Sequence, residues 1–263
     1  MNIKRENNVK NISFEERTMK CPECQAEVSE DFNFCCYCGF PLKENTKETL
    51  RAKSWRSRLK GKMKDAIAYC ERVENKDAYN YKTLGDIYYF VGDLKNSIEN
   101  FNKSLELLPD FADTHYNLGV AYYRAGMLKN AIESLEKCIE LNADFNMAHY
   151  WLGIAYYHRG NFKKAIENYE ALLDKNPDSK IAYYHLGIVY MAMSDYKTAI
   201  TYFEQLLEID KNDAALYYHL GRAYHLTYDT IKAIKILREA VEINPENERA
   251  KKLLAMLTEI SEP

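Results

Sequence analysis

From residue 78 onward the apolar positions fall at helical spacing in short paired runs, and the pairs recur every 34 residues. The stretch 146–179 is representative. Leu152, Ala155 and Tyr156 share one helix face, and Ile166, Tyr169, Leu172 and Leu173 share a second; Arg159-Gly160-Asn161 between them reads as a turn. The pattern predicts two short helices per unit. Gly153 and Ala165 let the two backbones approach closely, so a larger side chain at either place would overpack the contact and cost roughly 1–3 kcal/mol. One such hairpin cannot bury its own apolar face, and its stability comes from stacking on neighbours.

The register holds without insertion. Leu84-Gly85, Leu118-Gly119, Leu152-Gly153, Leu186-Gly187 and Leu220-Gly221 are followed by tyrosines at 88, 122, 156, 190 and 224. A small residue comes next (Ser97, Ala131, Ala165, Ala199, Ala233), then a large one four later (Phe101, Leu135, Tyr169, Phe203, Leu237). Pro109, Pro177 and Pro245 close three of the five units. This pattern resembles the tetratricopeptide repeat, a helix-turn-helix unit that stacks. The resemblance covers residues 78–247 and implies an all-α helical-hairpin solenoid of five repeats plus capping helices. Ser97 departs from the usual alanine, and Ala143 and Lys211 from the closing proline.

Before the repeats the chain changes character twice. Residues 1–19 are polar and aperiodic and read as a disordered tail; Met19 is a second plausible start. Residues 20–42 carry two CxxC pairs, Cys21/Cys24 and Cys35/Cys38, ten residues apart. Each pair is a tight turn that points two thiolates at one ion, and together they complete a closed tetrahedral site for one structural Zn2+. Ordering some twenty residues costs on the order of 20–40 kcal/mol of backbone entropy, more than Phe32, Phe34, Phe40 and Leu42 can offset; structural zinc supplies about 10–16 kcal/mol. The segment resembles the short zinc-ribbon domain, with Gly39 matching its second knuckle and Gln25 standing where the first has glycine. Rubredoxin-like iron sites, the alternative, space their knuckles much farther apart. Cys36, inside the second knuckle, is either a spare thiol or a redox-sensitive neighbour of the metal. Cys70 and Cys138 fall at apolar positions and read as small core residues.

Residues 43–77 form a basic linker and an N-terminal capping helix. Seven basic residues and no acidic one lie between Glu48 and Asp65. Trp55, Leu59, Met63, Ile67, Cys70 and Val73 recur at helical spacing, which predicts one amphipathic helix over about 49–73. The basic residues of 51–64 are then a solvated face or, alternatively, an electrostatic footprint for nucleic acid. At the other end, residues 248–263 read as a C-terminal capping helix with Ala250, Leu253, Leu254, Met256 and Leu257 on one side.

Composition sharpens the picture little. Hydrophobic residues make up 47%, mean hydropathy is −0.51, and no apolar run approaches eighteen residues, so no membrane-spanning helix is expected. The first twenty residues lack the apolar core of a signal peptide. Seven cysteines, four in CxxC spacing, favour metal over disulfides and a cytoplasmic location. A net charge of −3 points to no partner class.

No catalytic set stands out: there is no Gly-rich phosphate loop, no nucleophile elbow, and none of the six histidines forms a metalloprotease pair. A non-catalytic scaffold or adaptor without a small-molecule substrate is expected. The family resemblance implies that the first helices line a groove for a protein or peptide segment. By register its walls are Tyr89, Tyr116, Tyr123, Arg124, Tyr150, Tyr157, His158, Tyr184, Tyr218 and Arg222, with Val120, Met147, Ile154, Ile181, Ile188 and Met191 among the apolar positions between them. Tyr116, Tyr150, Tyr184 and Tyr218 occupy one place in consecutive repeats and are expected as a side-by-side ladder. The family's carboxylate clamp does not carry over, because Asp86 stands in its asparagine position beside Lys82. The alternative function is a nucleic-acid-associated factor using the ribbon and the basic helix.

Overall fold

The computed structural model describes residues 18–23, 25–29, 42 and 46–261. Of the predicted zinc ligands only Cys21 is among them; Cys24, Cys35 and Cys38, with Cys36, lie outside the described residues. The chain divides into two compact units, Met1–Leu107 and Leu108–Pro263.

In the first unit, β1 (Thr18–Lys20) pairs antiparallel with β2 (Glu27–Ser29), Met19 opposite Val28. The strand thus begins two residues before the ribbon boundary read from sequence. Four helices follow: α1 (Lys47–Leu59), α2 (Met63–Glu71), α3 (Ala78–Phe90) and α4 (Leu94–Leu107). The single helix expected over 49–73 is two. The chain turns at Lys60-Gly61-Lys62, where Gly61 takes φ 71° and its N–H donates to the Arg58 carbonyl at 3.0 Å. That left-handed conformation is one glycine adopts without penalty.

The result is a further hairpin on the repeat plan. α1 has 13 residues, as α3 does. Gly61, Ser54 and Cys70 stand 31 residues before Gly92, Gly85 and Phe101. In α3–α4 the phenyl ring of Phe101 fills the space left by Gly85, so close that an added Cβ would lie 2.5 Å from it. In α1–α2 the same contact is made by Cys70, whose Sγ donates to Ser54 Oγ at 3.0 Å. The buried face is therefore Thr49, Leu50, Ser54, Ser57, Ala66 and Cys70, while Trp55 and Leu59, expected inside, are 56% and 70% exposed. Part of the basic segment is spent within the unit. Lys47 and Arg51 hold Asp77 at 2.6 and 2.5 Å, and Asp77 in turn caps α3 by accepting from Asn80 N–H at 3.0 Å. Burial raises the Asp77 carboxyl, but hydrogen bonds from Lys47, the Asn80 backbone and Arg51 outweigh it and set it at about 2.

The second unit contains α5 (Ala112–Arg124), α6 (Leu128–Leu141), α7 (Asn146–His158), α8 (Phe162–Lys175), α9 (Lys180–Ala192), α10 (Tyr196–Ile209), α11 (Ala214–Leu226), α12 (Thr230–Ile243) and α13 (Glu248–Ser261). Consecutive helices pack as hairpins, and the hairpins stack in order through α6 on α7, α8 on α9 and α10 on α11. The glycine notch recurs: a Cβ at Gly119 would meet Leu135 at 2.6 Å, and at Gly153 it would meet the Tyr169 ring at 2.5 Å. Alanines 131, 165, 199 and 233, all fully buried, carry the facing helix in to that distance.

Polar residues set the helix ends. Asn161, Asp195 and Asp229 cap α8, α10 and α12 by accepting from the backbone three residues on. Asn142, Asn176, Asp210 and Asn244 each accept from the N–H two residues ahead, at 3.1, 3.2, 3.1 and 3.0 Å, turning the chain into the next repeat. The turn therefore persists where Ala143 and Lys211 replace proline. On the side of the second helices, Tyr156 donates to the Glu136 carboxylate and accepts from Lys164 at 3.0 Å. Tyr224 repeats this toward Glu204. These two tyrosines are buried packing residues whose hydroxyls also latch one repeat to the one before. At the end, α13 buries Ala250 and Leu257 and half-buries Leu253 and Leu254; Met256, expected on that face, is exposed.

Candidate functional site

The first helices of the second unit (α5, α7, α9, α11) present a run of aromatic rings. Tyr116, Tyr150, Tyr184 and Tyr218 are all half-buried and lie in register, but they are not a simple ladder of tyrosines. The ring one position later on the chain stands between them. Trp151 meets Tyr150 edge-on with centroids 5.5 Å apart and donates its Nε1–H to Tyr116 at 3.2 Å. His185 lies 5.4 Å from both Tyr150 and Tyr184. His219 lies 5.7 Å from Tyr184 and 5.2 Å from Tyr218, with its Nε2 3.3 Å from the Tyr184 hydroxyl. Helix axes packed about 8–10 Å apart leave room for one more ring between successive tyrosines. Sequence reading did not single out Trp151, His185 and His219, although their shared 34-residue register was there to be read.

Beneath the histidines, the contact reaches the core. His185 stacks on Tyr169 at 5.1 Å, and His219 on Phe203 at 6.0 Å, the two rings that fill the notches of Gly153 and Gly187. Burial pushes both imidazoles down to about 4, with Arg222 adding to the effect on His219, so both rings are neutral at physiological pH.

A cleft of about 410 Å³ opens on this face. Its walls are Tyr123, Ile154, Tyr157, Tyr184 and Ile188, with His158 among its lining residues, and Tyr169, His185, Val189 and His219 complete the lining. Burial raises the phenols of Tyr123, Tyr169 and Tyr184. Of the residues expected by register, Tyr123, Tyr157, His158 and Tyr184 therefore meet in one cleft. Tyr150 joins through His185, Tyr116 and Tyr218 mark the ends of the aromatic run, and Arg124 and Arg222 are exposed. Tyr89 belongs to α3 in the first unit. There, too, Asp86 is paired with Lys82 at 3.1 Å, so that lysine is engaged where a carboxylate clamp would need it.

Near the N-terminus the described residues make a tight turn between β1 and β2. Cys21 is fully buried against Met19, Val28 and Leu42; its N–H donates to the Ala26 carbonyl, and its carbonyl accepts from Gln25 N–H, both at 2.9 Å. Gln25 has φ 62°, the left-handed conformation that glycine adopts most readily. A thiol held at the mouth of such a turn suits a thiolate ligand.

Comparison with known proteins agrees with this geometry. Family models described as TPR repeat (residues 85–126) and Tetratricopeptide repeat (residues 112–145, 144–212 and 190–257) tile residues 85–257 without a gap. No curated protein matches the chain. Among solved structures, the MamA protein is 29% identical with TM-score 0.61, the likeness covering 64% of this chain and 92% of MamA. YrrB, described as a TPR protein with an unusual peptide-binding site, is 22% identical with TM-score 0.62, covering 72% of this chain and 97% of YrrB. The C-terminal part of a TPR repeat-containing protein from Cytophaga hutchinsonii is 19% identical with TM-score 0.69, covering 80% and 88%. With its helical hairpins, glycine notches and closing turns all in the family register, the chain belongs to the tetratricopeptide-repeat family.

Proposed function

We propose that this protein is a non-catalytic scaffold whose second unit holds a segment of another protein on the face of α5, α7, α9 and α11. The observation that carries the reading is the aromatic run from Tyr116 to Tyr218 with the cleft beside it. Rings of this kind offer a guest large contact area at little rotamer cost, while their hydroxyls reach its backbone. YrrB, of the same fold, is a peptide-binding relative in form, which supports the reading without naming a partner. At the N-terminus, Cys21, Cys24, Cys35 and Cys38 would hold one structural Zn2+; bound there, the metal cross-links two knuckles and supplies folding energy to a segment with little core.

The test is a photo-cross-linker in the full chain. Benzoylphenylalanine replacing exposed His158 should trap a discrete protein adduct in host lysate treated with nuclease, and the same group replacing exposed Glu170 on α8 should not. Equal trapping at both sites, or adducts that vanish with nuclease, would overturn the reading. The second outcome would point to nucleic acid instead.

A further inference from the structure

The cleft in the second unit has a character that selects its guest. No Asp, Glu, Lys or Arg lines it. Its two inner histidines, His185 and His219, are kept uncharged by burial. An ion placed among these rings would lose its hydration and find no counter-charge, which is costly.

Tyr169 gives the cleft a polar floor. The residue is 1% exposed, its ring wedged against Gly153 and stacked on His185. Its hydroxyl has no hydrogen-bond partner among the described residues, yet the residue lines the cleft. Lining the cleft and bonded to no neighbour, it is open to a hydrogen bond from a guest. An aliphatic guest would leave it unpaired. The walls, Tyr123, Tyr157 and Tyr184, are aromatic faces and edges suited to another ring. The volume, about 410 Å³, sits at the small end of ligand pockets, enough for one large side chain rather than an extended ligand.

We infer that this cleft receives one uncharged aromatic side chain with a polar tip, a tryptophan or tyrosine of the guest segment, seated with its N–H or O–H on the Tyr169 hydroxyl. The inference rests on the reading of this helix face as a guest-binding surface and adds the chemistry of the anchor. Phe203 fills the equivalent notch one repeat later, so Tyr169→Phe removes the hydroxyl while keeping a ring that the hairpin accommodates.

The probes are N-acetyl amides of tryptophan, tyrosine, phenylalanine, leucine and lysine, titrated into the full chain and its Tyr169→Phe variant and followed by NMR. The tryptophan and tyrosine amides should shift cleft resonances. Tyr169→Phe should weaken them roughly five- to tenfold, the worth of one hydrogen bond, and leave the phenylalanine amide unchanged. Leucine or lysine amides binding as tightly as tryptophan amide, no effect of Tyr169→Phe, or no shift with any probe at its solubility limit would each overturn the inference. If such a result accompanied protein adducts at position 158, it would remove the anchor assignment alone and leave the guest-binding reading standing.

Discussion

At the scale of single residues, the second unit uses one side chain for two tasks. Tyr169 fills the notch beneath Gly153 and also lines the cleft, and His185 and His219 lie on such core rings while touching the half-buried tyrosines. The histidines carry a cost that can be read in the pH dependence of stability. Their folded pKa is about 4, below the ordinary 6.5, so between those values the unfolded chain binds more protons than the folded one. Stability therefore rises with pH across that window; the contribution is complete above about 6.5 and is lost as pH falls toward 4, at up to about 1.4 kcal/mol per pH unit for each ring. The expected result is a denaturation midpoint that drops over this range in the wild type and flattens in a His185→Phe, His219→Phe variant. Imidazoles that titrate near 6.5 by NMR would contradict it.

At the scale of elements, each hairpin is joined by a turn whose pivotal residue is left-handed. Gly61, Gly92, Gly126 and Gly160 fill this place, and then Ser194 and Tyr228 do, both at φ 62°. A residue with a Cβ is strained there by about 1–2 kcal/mol, part of which glycine gives back in unfolded-chain entropy. Tyr228 is 93% exposed, so removing its ring forfeits almost no packing. Tyr228→Gly is expected to stabilise the protein by roughly 0.5–1 kcal/mol in denaturant unfolding. A loss of stability instead would mean that the ring holds something the hairpin needs. The same turn explains the α1–α2 hairpin: Gly61 marks it, but its 31-residue offset and Ser54/Cys70 pair fall outside the 34-residue, glycine-notched pattern of the other repeats.

For the whole molecule, the N-terminal cysteine segment and the helical hairpins are proposed to answer to different physics. The helices are held by stacked apolar faces, and all thirteen described helices lie outside residues 18–42. The cysteine segment, by contrast, would depend on a Zn2+ held by Cys21, Cys24, Cys35 and Cys38. Elemental analysis of the full chain should give one zinc per molecule, and chelation should remove it while leaving the helical circular dichroism signal in place. Absence of zinc, or collapse of the helical signal on chelation, would count against that division. No described helix is long and apolar enough to cross a membrane.

The sequence by itself determined the five 34-residue hairpins, their order and the notch that fits each of those pairs together. Those features are set by local periodicity and by the volume of residues such as Gly153 and Tyr169, which the chain repeats in a fixed register. It also placed Cys70 and Cys138 in the core, where both are buried. Only the tertiary structure decided which rings meet. Trp151 stands between Tyr116 and Tyr150, His185 loses its charge, and the Tyr169 hydroxyl opens into a cleft because of neighbours brought in from adjacent repeats. Desolvation and ring contact depend on those neighbours, and a pattern read along one helix does not contain them.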